Sequence, residues 1–282
     1  MKKILQRLLV FAVGLPLVTG IILFLPQFNH LALNIVVIVF SALGALEFAA
    51  ILESKGMSVH PAEAVILGAL APAVMTVQSS LGKNLAFSAV FILGALWLLV
   101  SRIFSPEEKL KGYTEKAAAG FSLMLYPGLF MACIVQMSGF PQAGMVILAF
   151  LLIVFANDSA AWAAGMLFGK GNRGLIPASP NKSIAGFIGG IGASILIGAG
   201  AEVFIGSVFV SRLLPAPLGG IAIGLCTGIA ANLGDLAESA MKRSSGIKDS
   251  GRLIPGRGGV LDCIDSVSLA APVFYILYRA IF

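Results

Sequence analysis

AGMVILAFLLIVFANDSAAWAAGMLF, residues 143–168, carries one ionisable side chain, Asp158, in an otherwise apolar run. As a helix rising about 1.5 Å per residue it would exceed the roughly 30 Å of a bilayer's hydrocarbon core. A membrane-barrel strand would alternate apolar and polar residues, and this run does not. Similar runs recur along the chain, at about 8–26, 31–52, 62–78, 85–103, 117–138, 183–204, 208–234 and 264–281. Composition agrees: 58% of the 282 residues are hydrophobic and 11% charged, against about 25% charged in a soluble domain. The reading is an all-α polytopic membrane protein with about nine transmembrane helices.

Lysines and arginines set the orientation. With a cytoplasmic N-terminus, only Lys83, Arg212 and Arg279 fall outside, and the other sixteen of nineteen fall on inner segments. That asymmetry follows the positive-inside rule and supports the count of nine. The net charge of +6 is therefore spent facing the cytoplasm and anionic headgroups rather than nucleic acid. The opening MKKILQRLL has the basic start of a signal peptide, but no A-x-A cleavage site follows, so a retained first helix is expected. Cys133, Cys226 and Cys263 lack metal-ligand spacing and read as structural thiols. The chain divides into N-terminal transmembrane helices, 1–140, and a C-terminal transmembrane catalytic region, 141–282. The first part holds little chemistry: Glu47 and Glu53 near the end of a span, and the mixed-charge connection 106–116.

Chemistry concentrates in the second part. An ionisable group at membrane depth is costly and ordinarily faces a cavity or a partner, which singles out Asp158. The following GKGNRGLIPASPNKS (169–183) sets Gly, Lys, Arg and Ser before a glycine-rich run, a weak phosphate-binding pattern. The stretch NLGDLAESAMKRSSGIKDSGRLIPGRGGVLDCIDS (232–266) holds five of the thirteen acidic residues and five of the nineteen basic ones. Asp235, Glu238 and Ser239 stand at i, i+3 and i+4 and would share a helix face. Asp262 and Asp265 stand at i, i+3 where the last span begins, and a helix N-terminus favours negative charge. Between the pairs run Lys242, Arg243, Lys248, Asp249 and the turn PGRGG (255–259). Carboxylates facing cations suit Mg²⁺ and phosphate oxygens in a transfer at phosphorus. The plainer alternative is mutual neutralisation in a re-entrant loop.

These residues resemble the C-terminal signature of phosphatidate cytidylyltransferases (CDP-diacylglycerol synthases), approximately S-x-x-K-R-x(4)-K-D-x-G-x-x-x-P-G-H-G-G-x-x-D-R-x-D. The family's D-x-x-A-[YW] and S-P-x-K-[ST] elements match Asp158-Ser-Ala-Ala-Trp162 and Ser179-Pro-Asn-Lys-Ser183. The likeness covers roughly the last 125 residues. Two positions depart from it. Arg257 stands where the family has His; it keeps a cationic donor but cannot shuttle a proton near neutral pH. Cys263 stands where the family has Arg and removes a permanent charge.

The resemblance implies an integral membrane enzyme of the inner membrane whose site faces the cytoplasm. It would join CTP and phosphatidate to give CDP-diacylglycerol and pyrophosphate. It implies Asp235 and Asp262 as catalytic metal ligands with Asp265 close by, and Mg²⁺ as cofactor, a second cation being open. Lys182, Lys242, Arg243, Lys248 and Arg257, with Ser179 and Asp158, are the candidate substrate contacts, and Asp249 would orient one of them. A polar cavity near Asp158 would admit the lipid, and a homodimer is one assembly to test. The alternatives are a CTP-dependent lipid kinase of the polyprenol type, an inactive relative, or a transporter. A transporter favours broken helices in both halves, whereas the charges here concentrate in the second.

Overall fold

The computed structural model describes residues 2–81, 87–101, 103, 110–174 and 176–282. Lys83, Arg102 and residues 106–109 of the mixed-charge connection lie outside the described residues, as do the side chains of Lys2, Lys3 and Arg7. Nine helices are present among the described residues, α2 being counted across a kink at Phe28, Asn29 and His30: α1 (Lys2–Phe24), α2 (Gln27–Glu53), α3 (Pro61–Leu81), α4 (Phe87–Val100), α5 (Tyr113–Met137), α6 (Ala143–Phe168), α7 (Ile184–Phe204), α8 (Leu218–Ser244) and α9 (Leu261–Ile281). Seven of them are long and apolar enough to cross a membrane; α1 and α4 contribute shorter apolar stretches, Ala12–Phe24 and Ala89–Val100. The protein is an integral membrane protein of the all-α class.

One boundary moves. The eighth span was expected over 208–234, but α8 begins at Leu218 and runs to Ser244. Pro215 and Pro217 keep the preceding segment out of the helix, because proline lacks an N–H and restricts the residue before it. At the other end, Leu236, Ala237, Glu238, Ala240, Met241, Lys242 and Arg243 are all good helix formers, so the charged stretch stays helical.

The chain forms two compact units: Met1–Gly139 with Ser244–Ile264, and Phe140–Arg243 with Asp265–Phe282. In the first unit α2 and α3 lie so close that a Cβ added at Gly68 would collide with Ala45 Cβ and stand 2.8 Å from Ser41 O. Helix α5 widens into a π turn over Met124–Leu129, where Pro127 supplies no N–H to the regular ladder. Around it Leu67, Met75, Leu123, Met124 and Met131 are buried.

In the second unit small residues do the same work, as expected where helices associate by close packing rather than by escape from water. A Cβ at Gly198 would collide with Gly220 O, and one at Gly224 with Ser194 O, so α7 and α8 meet backbone to backbone. A buried polar knot ties three helices. Asn157 Nδ2 on α6 donates to Ser194 Oγ on α7 at 3.0 Å and to Gly228 O on α8 at 3.2 Å. Ser194 Oγ in turn donates to Ile153 O at 3.3 Å.

This packing separates two glycines of the same helix. Overpacking typically costs about 1–3 kcal/mol, so Gly198→Val should lower the thermal unfolding midpoint in detergent by several degrees or abolish folding. Gly192→Ala, with nothing within 4 Å of its added Cβ, should leave the midpoint unchanged or slightly raised. Equal behaviour of the two variants would contradict the packing.

Candidate active site

In the second unit α8 places Asp235, Glu238, Ser239 and Lys242 on one face, at i, i+3, i+4 and i+7. Glu238, Ser239 and Lys242 are buried, and Asp235 is half-buried. The Lys242 ammonium pairs with the Glu238 carboxylate one turn earlier. Ser239 Oγ reaches Asp235 Oδ1 at 3.5 Å, a weak contact. The other Asp235 oxygen, Oδ2, lies 2.6 Å from Lys182 Nζ.

Lys182 comes from the 169–183 loop, which is folded on itself rather than extended. Gly174 N–H donates to Pro180 O, Ile184 N–H to Asn172 O, and Arg173 Nη2 to Gly165 O. Ser183 caps α7, its Oγ accepting Gly186 N–H at 3.1 Å, as expected of serine at that position. Ser179 closes the turn before Lys182, its carbonyl accepting Lys182 N–H at 3.1 Å. The Lys182 ammonium also lies 5.7 Å from the centre of the Phe187 ring, within cation–π range.

Helix α9 supplies Asp265 and Ser266 to the same cluster. Ser266 N–H donates to Asp265 Oδ1 at 2.6 Å, and Ser266 Oγ donates to Asp158 Oδ1 on α6 at 3.3 Å. Asp265 feels the negative charge of Asp235, Glu238 and Asp158 together. Gly234 allows this approach: a Cβ there would stand 2.5 Å from Asp265 O.

In the first unit Asp262 is bound to the loop that precedes it. Its Oδ2 accepts Gly259 N–H at 2.7 Å, Ser250 N–H at 2.9 Å and contacts Ser250 Oγ at 2.9 Å. On the other side of Ser250 stands Glu47 of α2, which is buried. Glu47 Oε1 accepts Val260 N–H at 3.0 Å; its Oε2 accepts Leu261 N–H at 2.8 Å and contacts Ser250 Oγ at 2.9 Å. The PGRGG turn closes by hydrogen bonds between Ile254 and Gly258. Gly258 is required twice over: its φ is +113°, and a Cβ there would stand 2.5 Å from Asp262 Oδ2.

Of the expected residues, Asp158, Lys182, Asp235, Lys242 and Asp265 gather in the second unit. Ser179 and Arg243 flank them in sequence, Arg243 exposed in the last turn of α8. Asp262 belongs to the first unit with Lys248, Asp249 and Arg257; Lys248 and Asp249 are exposed, Arg257 half-exposed. Sequence reasoning gave no role to Glu47, Ser250 or Ser266. Glu47 carried the signal that exposed Asp158, an acid within an apolar run. Among the described residues, no group of three or more His, Cys, Asp or Glu side chains is arranged to hold a metal ion.

Residues 5–281 match the model of a family described as the cytidylyltransferase family. A phosphatidate cytidylyltransferase of Haemophilus influenzae is 43% identical over 143 residues, 49% of this chain and 47% of that protein. One from Synechocystis sp. is 37% identical over 136 residues, 48% of this chain and 44% of that protein. One from Bacillus subtilis is 32% identical over 196 residues, 69% of this chain and 67% of that protein. The chain thus spans about half the length of the first two and two thirds of the third.

The buried pair gives a test of the electrostatics. Removing one partner of a buried ion pair leaves an uncompensated charge and costs about 3–5 kcal/mol, whereas removing both is often close to neutral. Lys242→Met should therefore lower the thermal midpoint in detergent markedly, and Glu238→Gln added to it should restore most of the loss. A double variant less stable than Lys242→Met would contradict the pairing.

Proposed function

The chain belongs to the cytidylyltransferase family, and from that premise we propose that it transfers the cytidylyl group of CTP to phosphatidate, giving CDP-diacylglycerol and pyrophosphate. The observation that carries the reading is convergence. Asp158, Lys182, Asp235 and Asp265 come from four separate stretches of sequence, and they meet in one cluster of the second unit. A structural ion pair would need two of them, not four.

In the proposed reaction a phosphate oxygen of phosphatidate forms a bond to the α-phosphorus of CTP. The bond from that phosphorus to the β-phosphate oxygen breaks, and pyrophosphate departs with the electron pair. Catalysis of this kind is chiefly positioning and charge stabilisation. Lys182, already 2.6 Å from a carboxylate oxygen, is the proposed phosphate contact, free to exchange an anionic partner for another. Lys242 would hold Glu238 and the α8 face in place. Ser179, Arg243, Lys248 and Arg257 are proposed for further phosphate contacts by their places in the signature, and Asp249 for orienting one of them. Asp158, tied to Ser266, would border the entry for the lipid.

Mg²⁺ is the proposed cofactor, with Asp235 and Asp265 as its protein ligands. The donor set fits in chemistry: hard carboxylate oxygens, with Asp235 and Asp265 near enough to feel each other's charge. It fits in number as well. Mg²⁺ commonly takes one or two carboxylates and completes its shell with water and substrate phosphates, so three converging protein ligands are not required. When bound, the ion would neutralise charge developing on the phosphate oxygens. Asp262 keeps, as a proposal, the metal-ligand role that the signature implies for it, with its Oδ2 committed to the loop. The lysine and arginine asymmetry supports an inner-membrane enzyme whose site faces the cytoplasm, where CTP is available.

Purified protein in detergent, given Mg²⁺, phosphatidate and CTP labelled at the α-phosphate, should place label in a lipid product and release pyrophosphate. Asp235→Asn should lower the rate at least about 100-fold, the scale on which electrostatic groups act in such sites. No lipid-bound label from folded protein would contradict the reading. Label appearing only from γ-labelled CTP would replace it with a lipid kinase.

A further inference from the structure

We infer that Glu47, on a helix distant in sequence from the signature, is a positioning residue for the proposed reaction: its carboxylate fixes the 250–261 segment and through Ser250 sets Asp262. This inference rests on the proposed function for its catalytic consequence, but its structural half stands without it.

The geometry points to Glu47 for three reasons. First, it is buried, and both of its oxygens are engaged with a single segment more than 200 residues away, at Ser250, Val260 and Leu261. Second, two of the donors are the backbone N–H groups of Val260 and Leu261, where α9 begins. The first N–H groups of a helix have no partner within it, and that end favours negative charge. Glu47 therefore supplies from α2 what a capping residue would ordinarily supply locally. Third, the surrounding backbone closes tightly on its carboxylate. A Cβ at Gly251 or Gly259 would collide with Glu47 oxygens, and at Gly259 it would also collide with Ser250 Oγ. The two glycines let the loop close around the carboxylate.

Ser250 connects this clamp to Asp262. Its hydroxyl lies 2.9 Å from Glu47 Oε2 and 2.9 Å from Asp262 Oδ2, and accepts Asp262 N–H at 3.3 Å. One hydroxyl has one proton to donate, so the two carboxylates compete for it, and the position of one bears on the other. With Gly259 N–H and Ser250 N–H also on Asp262 Oδ2, the orientation of Asp262 is set by the same segment that Glu47 holds. Glu47 itself is not placed against any reacting atom; its effect would pass through Ser250 and the loop. Glutamine cannot reproduce it, because its NH₂ would face one of the two backbone N–H groups that now donate to separate oxygens.

The test compares wild type, Glu47→Gln and Glu47→Asp as purified full-length proteins in detergent, with two readouts. The first needs no activity. Trypsin cleavage after Arg252 and Arg257, followed by mass spectrometry, reports how firmly the segment is held. Glu47→Gln should be cut there at least about fivefold faster than wild type while the thermal midpoint stays high enough for the assay, and Glu47→Asp should fall between. Should Glu47→Gln fail to fold, Ser250→Ala, which removes only the bridging hydroxyl, serves for the same comparison with a smaller effect. The second readout is label transfer from CTP. The kcat of Glu47→Gln should fall at least about tenfold with the KM for CTP within about threefold, and Glu47→Asp should recover part of it. Wild-type cleavage rates in the variants would overturn the clamp. Faster cleavage with wild-type kcat would overturn the positioning role. A wild-type protein that transfers no label would sink the proposed reaction, and the cleavage rates would still decide the clamp.

Discussion

A buried ionised side chain persists only beside a partner of opposite charge or good hydrogen-bond donors, and this constraint shapes both networks. In the second unit the partners are Lys182 for Asp235 and Lys242 for Glu238. In the first they are backbone N–H groups, two for Glu47 and two for Asp262. Two unit charges 4 Å apart interact by about 4 kcal/mol at an effective dielectric constant of 20. A carboxylate left alone in such surroundings would therefore cost as much as a large fraction of a domain's stability. A buried ion pair, by contrast, adds little over well-packed apolar residues. Stability alone therefore gives no account of four acids gathered where α6, α8 and α9 meet, and a chemical role does.

The packing of the helices serves that gathering. Backbone contact at Gly198, Gly220 and Gly224 joins α7 to α8, and the Asn157 knot joins both to α6. Those contacts bring the middle of α6, which carries Asp158, and the start of α7, with Lys182 just before it, to the charged face of α8. Gly234 then admits α9 close enough for Asp265 to join. Small residues in apolar runs, which look featureless in the sequence, are what place the charged ones.

Much of this was legible beforehand. Apolar run length located the helices, because hydrocarbon thickness leaves few alternatives. The exception, α8, shows where run length misleads. Hydropathy places the span early because residues 235–244 are charged, whereas the start is set by Pro215 and Pro217 and the end by helix propensity. Asp158, Asp235 and Asp265 were recognisable from residue type and spacing and Lys182 from the family resemblance, and the structure brings them together. Glu47 was legible only in part: as an acid in an apolar run it carried a signal, but its partners are backbone amides more than 200 residues away, and no local pattern names them. Asp262 was read from its i, i+3 spacing to Asp265. Its three contacts with Ser250 and Gly259 depend on a loop closed by Gly258 at positive φ, and side-chain spacing is silent on that.

The central claim is that the Lys182–Asp235 cluster receives the phosphates of CTP. Equilibrium binding of radiolabelled CTP to the purified protein in detergent, with Mg²⁺ and without lipid acceptor, tests it most directly when wild type is set beside Lys182→Met. A charge-assisted hydrogen bond contributes about 1.5–3 kcal/mol, so the account predicts saturable binding to wild type and an affinity at least about tenfold weaker in the folded variant. Equal affinity of the two proteins would place the nucleotide elsewhere and contradict the account.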